Sequence, residues 1–202
     1  MKKLVLLATA AFSLATAAHA SVIPVLDSVT PVGSEFEFSY AGTLAGDQGL
    51  VDGSELVIFD FSGYVLGSIS PGIYGPDLIA FTENTSTLPP PFGEDDDPLI
   101  PNLVFKWVGA PFNASGGPFA DVDFAGLTAR SIFGATRLDG FTALTVTNNG
   151  AATGKPASNT GFVGVPDGIV VPEPASWALL ILGFGGVGAA LRTRKRLQRA
   201  VA

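Results

Sequence analysis

Glycine and proline interrupt this 202-residue chain at short intervals, and this punctuation limits the secondary structure that the chain can form. The chain has 25 glycines and 15 prolines. Between them lie short runs rich in β-branched and aromatic residues, a pattern typical of strands bounded by turns. Outside the two ends, no segment of about twelve residues has the apolar periodicity of a helix. We therefore predict an all-β fold of roughly six to nine short strands, an antiparallel β-sandwich or jelly roll.

Two of these runs have patterns that indicate which faces are buried. Glu35 to Tyr40 alternates strictly between polar and aromatic residues, so its aromatic side chains would share one face. Leu56 to Phe61 is apolar apart from Asp60, as in a strand that is buried on both faces. Further predicted strands are Tyr64–Ile69, Leu78–Thr82, Leu103–Val108 and Phe141–Thr147. Predicted turn dipeptides are Asp52-Gly53, Asp139-Gly140, Asn149-Gly150 and Asp167-Gly168.

The first twenty residues have the three parts of a secretory signal peptide. Lys2 and Lys3 give a positive start, and the stretch that follows carries no charge up to Ala18. Ala18 and Ala20 form the small-x-small pattern that signal peptidase reads, with cleavage after Ala20. We predict that residues 1–20 are an N-terminal signal helix removed by signal peptidase. A first transmembrane helix is the alternative.

A second uncharged run, Ala175 to Leu191, lies near the other end and is seventeen residues long. As a helix it would span about 26 Å, slightly less than the hydrocarbon core of a bilayer, which is about 30 Å thick. The basic cluster of residues 192–199 follows it and favours the cytoplasmic side. We therefore predict a transmembrane helix over residues 175–191, with the preceding domain outside the cell, as the signal peptide also requires.

The tail contains more than a membrane anchor needs. Pro-Glu-Pro is followed at fixed spacing by Trp-Ala, an aliphatic run, a Gly-Phe-Gly segment and the basic cluster. This order resembles the PEP-CTERM sorting signal in its Pro-Glu-Pro-x-x-Trp-Ala form. The residues that carry the resemblance, and that would be recognised, are Pro172, Glu173, Pro174, Trp177, Ala178, Gly183, Gly185, Arg192, Arg194, Lys195 and Arg196.

The resemblance implies a partner and a route. Residues 172–202 would form a sorting tail acted on by an exosortase-type membrane enzyme. The protein would be held transiently in the inner membrane and would then reach the cell surface or the extracellular space. The family is tied to bacteria that make extracellular polysaccharide, which makes that polysaccharide a further expected partner.

Between the two ends the chain is strongly acidic. Residues 21–171 contain seventeen Asp and Glu and four basic residues, which gives a net charge of −13. The basic residues are Lys106, Arg130, Arg137 and Lys155. Such a surface repels phosphates, so we predict that nucleic acid is not a partner. We assign residues 21–150 to one acidic β-rich extracellular domain. Residues 151–171 are rich in Gly, Ala and Asn with little to bury, and we predict a linker there.

The side chains that most enzymes use are missing from this middle region. The chain has no cysteine, and its only histidine, His19, lies in the predicted signal peptide. This excludes Cys–His and Ser–His–Asp catalysis, CxxC redox centres and ordinary zinc sites in the exported part. We therefore expect a protein that is not an enzyme and has no cofactor.

Four consecutive acids are the weak candidates for a metal site: Glu94, Asp95, Asp96 and Asp97. They lie in a proline-rich stretch, residues 87–101, that we predict to be an exposed loop. Several carboxylates together could bind calcium. They lack the alternating spacing of an EF-hand loop, and a solvated charge run is the favoured interpretation.

Two further features could serve carbohydrate chemistry. On a strand, Asp121 and Asp123 would share a face about 6.6 Å apart, and paired carboxylates are what a glycosidase needs. The favoured interpretation is the wet face of an exposed strand. Trp107 could stack on sugar rings, but aromatic residues at alternating strand positions more often belong to a core.

Three hypotheses follow for the function of the chain. The preferred one is a non-enzymatic surface or extracellular-matrix protein, sorted through its tail and associated with exopolysaccharide. The second is a carbohydrate-binding β-sandwich, with or without calcium. The third is a glycoside hydrolase that works with carboxylates alone.

Overall fold

The computed structural model describes residues 22–168 and 181–184. Within the first range the regular secondary structure is almost entirely strand. The strands are β1 (Val22–Val32), β2 (Glu35–Leu44), β3 (Gln48–Gly49), β4 (Glu55–Ile58), β5 (Leu78–Glu83), β6 (Asn102–Trp107), β7 (Val122–Ser131), β8 (Thr136–Thr147) and β9 (Pro156–Pro166). Short 3₁₀ turns lie at Gly72–Tyr74 and Gly150–Ala152. The prediction of an all-β fold is confirmed for the described β-rich unit.

The strands form two antiparallel sheets. In the smaller sheet β2 lies between β1 and β7. In the larger sheet β8 pairs with β9 along one edge and with β4 along the other, and β6 and β5 follow in that order. The two-residue strand β3 continues the edge of β8 that β4 occupies. The prediction of antiparallel pairing is therefore confirmed.

The two sheets share one apolar core. Phe38 and Tyr40 of β2 are fully buried in the same cluster as core residues of β4, β6, β8 and β9. Phe38 meets Phe61 edge to face, with ring centroids 5.4 Å apart. The Tyr40 hydroxyl donates a hydrogen bond across the interface to the Gly164 carbonyl at 3.0 Å. The alternation predicted for Glu35 to Tyr40 thus places Phe38 and Tyr40 in the core.

A second, smaller core lies on the other face of the larger sheet. Val57, Phe59 and Val104 are buried there and pack with Leu88 of the proline-rich loop. The Thr142 hydroxyl donates to the Pro89 carbonyl at 2.6 Å, which also holds this loop to the sheet. Leu56 and Ile58, by contrast, belong to the main core. The apolar run Leu56 to Phe61 is therefore buried on both faces, as predicted.

The proline-rich loop is mostly exposed, as predicted, but it is attached to the sheet at a few positions. Its residues form neither helix nor strand, as expected, but Pro91 is buried. A Cβ atom placed on Gly140 of β8 would lie 2.6 Å from the Pro91 ring. The loop is held closely because the larger sheet has apolar side chains on both faces, and the outer ones must be covered.

Several predicted strands and turns need correction. Residues 64–69 form no regular strand; Tyr64 makes a single bridge to Ser131. Asp139-Gly140 is not a turn but part of β8, which runs without interruption from residue 136 to residue 147. Strands β1 and β7 were not predicted. Both lie at the edges of the smaller sheet. The alternation of apolar and polar residues can be weaker in such strands, because fewer of their side chains need burial.

The prediction of a linker over residues 151–171 is also wrong for most of that range. Residues 156–166 form β9, which pairs with β8 along eleven consecutive positions. Val163 and Val165 of β9 are buried in the main core. The compact β unit therefore extends to Asp167. The low-complexity composition was misleading because β9 gains its stability from backbone pairing along β8 and needs few large side chains.

The predicted membrane segments fall largely outside the described residues. The signal helix of residues 1–20 lies outside them, and of the predicted helix 175–191 only residues 181–184 are described; these four are helical and exposed. Within residues 22–168 and 181–184, no helix is long and apolar enough to cross a membrane.

Candidate functional site

The four consecutive acids of the proline-rich loop do not converge on one point. One Asp96 carboxylate oxygen accepts from the Ser86 amide at 2.9 Å, and the other accepts from the Asn102 side-chain amide at 2.9 Å. The Asp97 carboxylate accepts from the Leu99 amide at 3.0 Å. Glu94 and Asp95 point to solvent. Asp96 and Asp97 therefore shape the loop.

These acids do not form a cation cage. Across residues 22–168 and 181–184, no three acidic or histidine side chains are placed to hold a metal ion together. A calcium ion needs six to eight oxygen ligands around one centre. Asp96 already accepts from two amide donors, Asp97 accepts from the Leu99 amide, and Glu94 and Asp95 are exposed.

A buried polar cluster, not predicted from the sequence, lies where β4, β6 and β8 meet this loop. We call it the Asp60 cluster; it comprises Asp60, Asp96, Asn102, Arg137 and Asp139. Asp60 and Asp139 are 7% and 5% exposed, and Asn102 is fully buried. Arg137 forms an ion pair with Asp139 and donates a second hydrogen bond to the Asp60 carbonyl at 3.0 Å.

Asn102 connects the members of the cluster. Its side-chain oxygen accepts from the Asp60 amide at 2.9 Å, and its side-chain nitrogen donates to Asp96. The Asp60 carboxylate in turn accepts from the Asp97 amide at 3.1 Å. The contacts of Asp96 and Asp97 join the loop to Asn102 and Asp60, and the third contact joins Asp60, just after β4, to Asn102 at the start of β6. The cluster is therefore a clamp that fixes the loop on the larger sheet.

The electrostatics of the clamp are unfavourable for a charged Asp60. Burial, together with the negative charges of Asp139 and Asp96, raises the pKa of Asp60 to about 6. The Asp97 amide and the Arg137 guanidinium act in the opposite direction but do not cancel these effects. The only sequence feature that indicated this cluster was Asp60, a single acid within the otherwise apolar run Leu56 to Phe61.

The carboxylates considered as a glycosidase pair are engaged separately. Asp121 accepts from the Gly46 amide at 2.8 Å, and Asp123 accepts from the Thr43 hydroxyl at 2.7 Å. Both are exposed. The prediction of a solvent-facing position is confirmed for both. Asp123 lies on β7, whereas Asp121 precedes the strand.

Trp107 lies at the end of β6 and is half-buried. Its indole N–H donates to the Ala110 carbonyl at 3.0 Å, and its ring packs against Phe112 with centroids 6.2 Å apart. Trp107 also lines a cavity between the sheets. The indole is therefore partly engaged in contacts within the protein.

The C-terminal tail is the part of the chain that comparison with known proteins identifies. Residues 170–195 match the family model of the PEP-CTERM protein-sorting motif. The chain carries a PEP-CTERM sorting motif. The match contains the recognition residues from Pro172 to Lys195, and Arg196 follows directly after it. The match confirms the resemblance seen in the sequence.

The PEP-CTERM motif suggests export and sorting by exosortase, a membrane enzyme that processes the tail. Of its recognition residues, Gly183 lies among the described residues, on the short helical segment 181–184. No curated protein and no solved structure matches the chain.

Proposed function

We propose that this chain is an exported, non-enzymatic surface or extracellular-matrix protein that an exosortase-type enzyme sorts through its PEP-CTERM tail. The observation that carries the proposal is the match of residues 170–195 to the sorting motif. The small-x-small site at Ala18 and Ala20 supports the export step. The two-layered, all-β unit is of the β-sandwich class, a fold common in cell-surface domains.

The tail acts as a temporary membrane hold that the enzyme removes or exchanges. Its uncharged run is slightly short for a permanent span, and it contains Gly183, Gly185, Gly186 and Gly188. The basic cluster stops translocation on the cytoplasmic side. Proline disfavours a helix at and just before its own position, and Pro172 and Pro174 therefore suit a motif that a processing active site reads as a linear segment.

Replacement of Pro172, Glu173 and Pro174 by alanine tests this proposal. We expect an uncleaved species that accumulates in the inner membrane, whereas the wild-type protein reaches the surface without residues 175–202. Mass spectrometry of the surface protein measures the difference. Alanines at the exposed Glu94 and Asp95 serve as the control and should leave processing unchanged. A wild-type surface protein that retains Ala175 to Ala202 intact contradicts the mechanism.

The absence of enzymatic activity is part of the same proposal. It is supported by the lack of Cys and His between residues 21 and 171 and by the separate hydrogen-bond partners of Asp121 and Asp123. Hydrolysis of the organism's own polysaccharide, lost in Asp121→Asn or Asp123→Asn, would overturn it. Association with that polysaccharide is measured by co-sedimentation of the surface protein with the purified polymer.

A further inference from the structure

A cavity of about 160 Å³ lies between the two sheets. We call it the intersheet cavity. On one side it is lined by Val22, Leu44 and Val122, which occupy matching positions on β1, β2 and β7 and so form one row across the smaller sheet. On the other side lie Leu56 and Phe105, which are paired between β4 and β6. The cavity is thus built from regular, paired strands.

Aromatic side chains close the remaining sides. Tyr74, Trp107, Phe112 and Phe124 all contribute to the lining. Phe112 is the exposed member, at 38%, and its backbone is held by two hydrogen bonds with Leu50 at 2.8 and 2.9 Å. At Phe112 the wall of the cavity therefore reaches the protein surface.

The polar side chains of the wall already have partners within the protein. The Ser54 hydroxyl accepts from the Val51 amide at 3.0 Å, and the Thr145 hydroxyl donates to Gln48 at 3.0 Å. Glu55 forms an ion pair with Lys106 at 3.6 Å. The indole N–H of Trp107 is likewise occupied by the Ala110 carbonyl. The polar groups of Ser54, Glu55, Trp107 and Thr145 are thus engaged within the protein, and a bound molecule would meet mainly apolar surface.

The size of the cavity defines the class of ligand. Close-packed protein interiors contain few voids larger than a water molecule. An engineered apolar cavity of about 150 Å³ in another protein stays free of water and binds benzene or xenon. A cavity of this size and lining suits one hydrocarbon ring and excludes charged compounds, because burial of an unpaired charge is costly.

We infer that the intersheet cavity is a binding site for a neutral, apolar compound of a single ring. This inference is independent of the sorting function, since none of the lining residues belongs to the tail. Binding would be driven by the removal of apolar surface from water, and Trp107 and Phe112 are among the residues that line the site.

Benzene is the probe for this site, and Trp107 is the reporter. The chain has two tryptophans, so Trp177→Phe leaves Trp107 as the only one. With the full chain in lipid nanodiscs, benzene should change the Trp107 emission in a saturable way. It should also raise the unfolding temperature of the β unit by roughly 2–6 °C at saturation, because it binds the folded state alone. Benzoate, the charged analogue, should do neither.

Filled-cavity variants separate binding in the site from partition into lipid. Val122→Phe places a ring inside the cavity and should abolish the saturable response. Leu78→Phe, on another wall, is used if that variant does not fold. Val25→Phe makes the same change at a position that is 51% exposed, outside the cavity lining, and should retain the response. A response that is absent in the parent protein, or equal in the filled variants, overturns the inference.

Discussion

Asp60 combines burial, negative neighbours and an unusual backbone. Its φ angle is 51°, in the left-handed region that Asp and Asn tolerate better than most residues. Its side chain is 7% exposed, and it faces Asp139, Asp96 and Arg137. This conformation ends the apolar run of β4 and turns the carboxylate to the Asp97 amide.

The raised pKa of Asp60 makes the stability of the β unit depend on pH in a defined direction. In the unfolded chain an aspartate releases its proton near pH 4, whereas folded Asp60 retains it up to about pH 6. Between these values the folded state binds more protons, so this residue's contribution to stability falls as pH rises from 4 to 6 and is constant above that.

Asp60→Asn should remove this dependence. Asparagine keeps an oxygen acceptor for the Asp97 amide and suits a positive φ angle, but it carries no charge. We expect the variant to be more stable than wild type at pH 8, by on the order of 1–3 kcal/mol. The difference should vanish near pH 4. Urea unfolding midpoints across this pH range provide the measurement, and parallel curves for the two proteins would contradict the assignment.

The partners of Asp60 explain why the sequence predicted so little of this cluster. Arg137 is 77 residues away along the chain and belongs to a different strand. Only the pairing of β4 with β8 brings the two together. A sequence pattern can indicate that a lone acid among apolar residues needs partners, but it cannot say which residues the sheet will supply.

Among the elements, the proline-rich loop acts as a cover for the larger sheet. Leu88 packs on the small outer core, whereas Leu99 in the same loop is 87% exposed. Proline content and acidity predicted the irregular backbone correctly. They did not predict the contact, because the need for a cover arises from Val57 and Phe59 on a distant strand.

Leu88→Ser should therefore destabilise the β unit by roughly 1–3 kcal/mol, since it removes buried apolar surface. Leu99→Ser is the matched control and should change stability by less than about 0.5 kcal/mol. Denaturant unfolding of both variants measures the difference. Equal effects would show that the loop does not contribute to packing.

Strand β9 is the element that sequence patterning missed most completely. Its burial alternates, but only Val163, Val165 and Pro166 are buried, near its end. β9 also contacts β1, since the Asn159 side chain donates a hydrogen bond to the Val22 carbonyl at 3.1 Å. β9 therefore depends on its contacts with β8 and β1, and a local stretch of sequence contains no information about those contacts.

A chain that stops at residue 150 should consequently fail to fold, whereas one that stops at residue 168 should fold. The shorter chain leaves one whole edge of β8 unpaired and exposes the core that Val163 and Val165 cover. Circular dichroism and thermal unfolding of the two proteins, both beginning at residue 21, test this. A cooperative β-type transition in the shorter chain would contradict the role assigned to β9.

At the scale of the whole molecule, the sequence was most informative in the sorting tail and less so in the β unit. The sorting motif is a local signal that a membrane enzyme reads in linear order. Residues 170–195 can therefore be recognised from the sequence alone, without knowledge of the fold. The core of the β unit depends instead on contacts between distant strands. The sequence therefore predicted the class of the fold, whereas strand order, the Asp60 cluster and the intersheet cavity required the structure.

The net charge of −13 between residues 21 and 171 should attract cations to the whole surface without a specific site. Exposed charges act through a diffuse field that salt screens over about 8 Å at physiological ionic strength.

We expect calcium to bind in the millimolar range or not at all, because Asp96 and Asp97 already accept hydrogen bonds from backbone and side-chain amides. Isothermal calorimetry with calcium, repeated for a Glu94→Ala and Asp95→Ala variant, makes the measurement. The variant should behave like wild type. Submicromolar binding that the two alanines abolish would instead require the loop to rearrange into a cage.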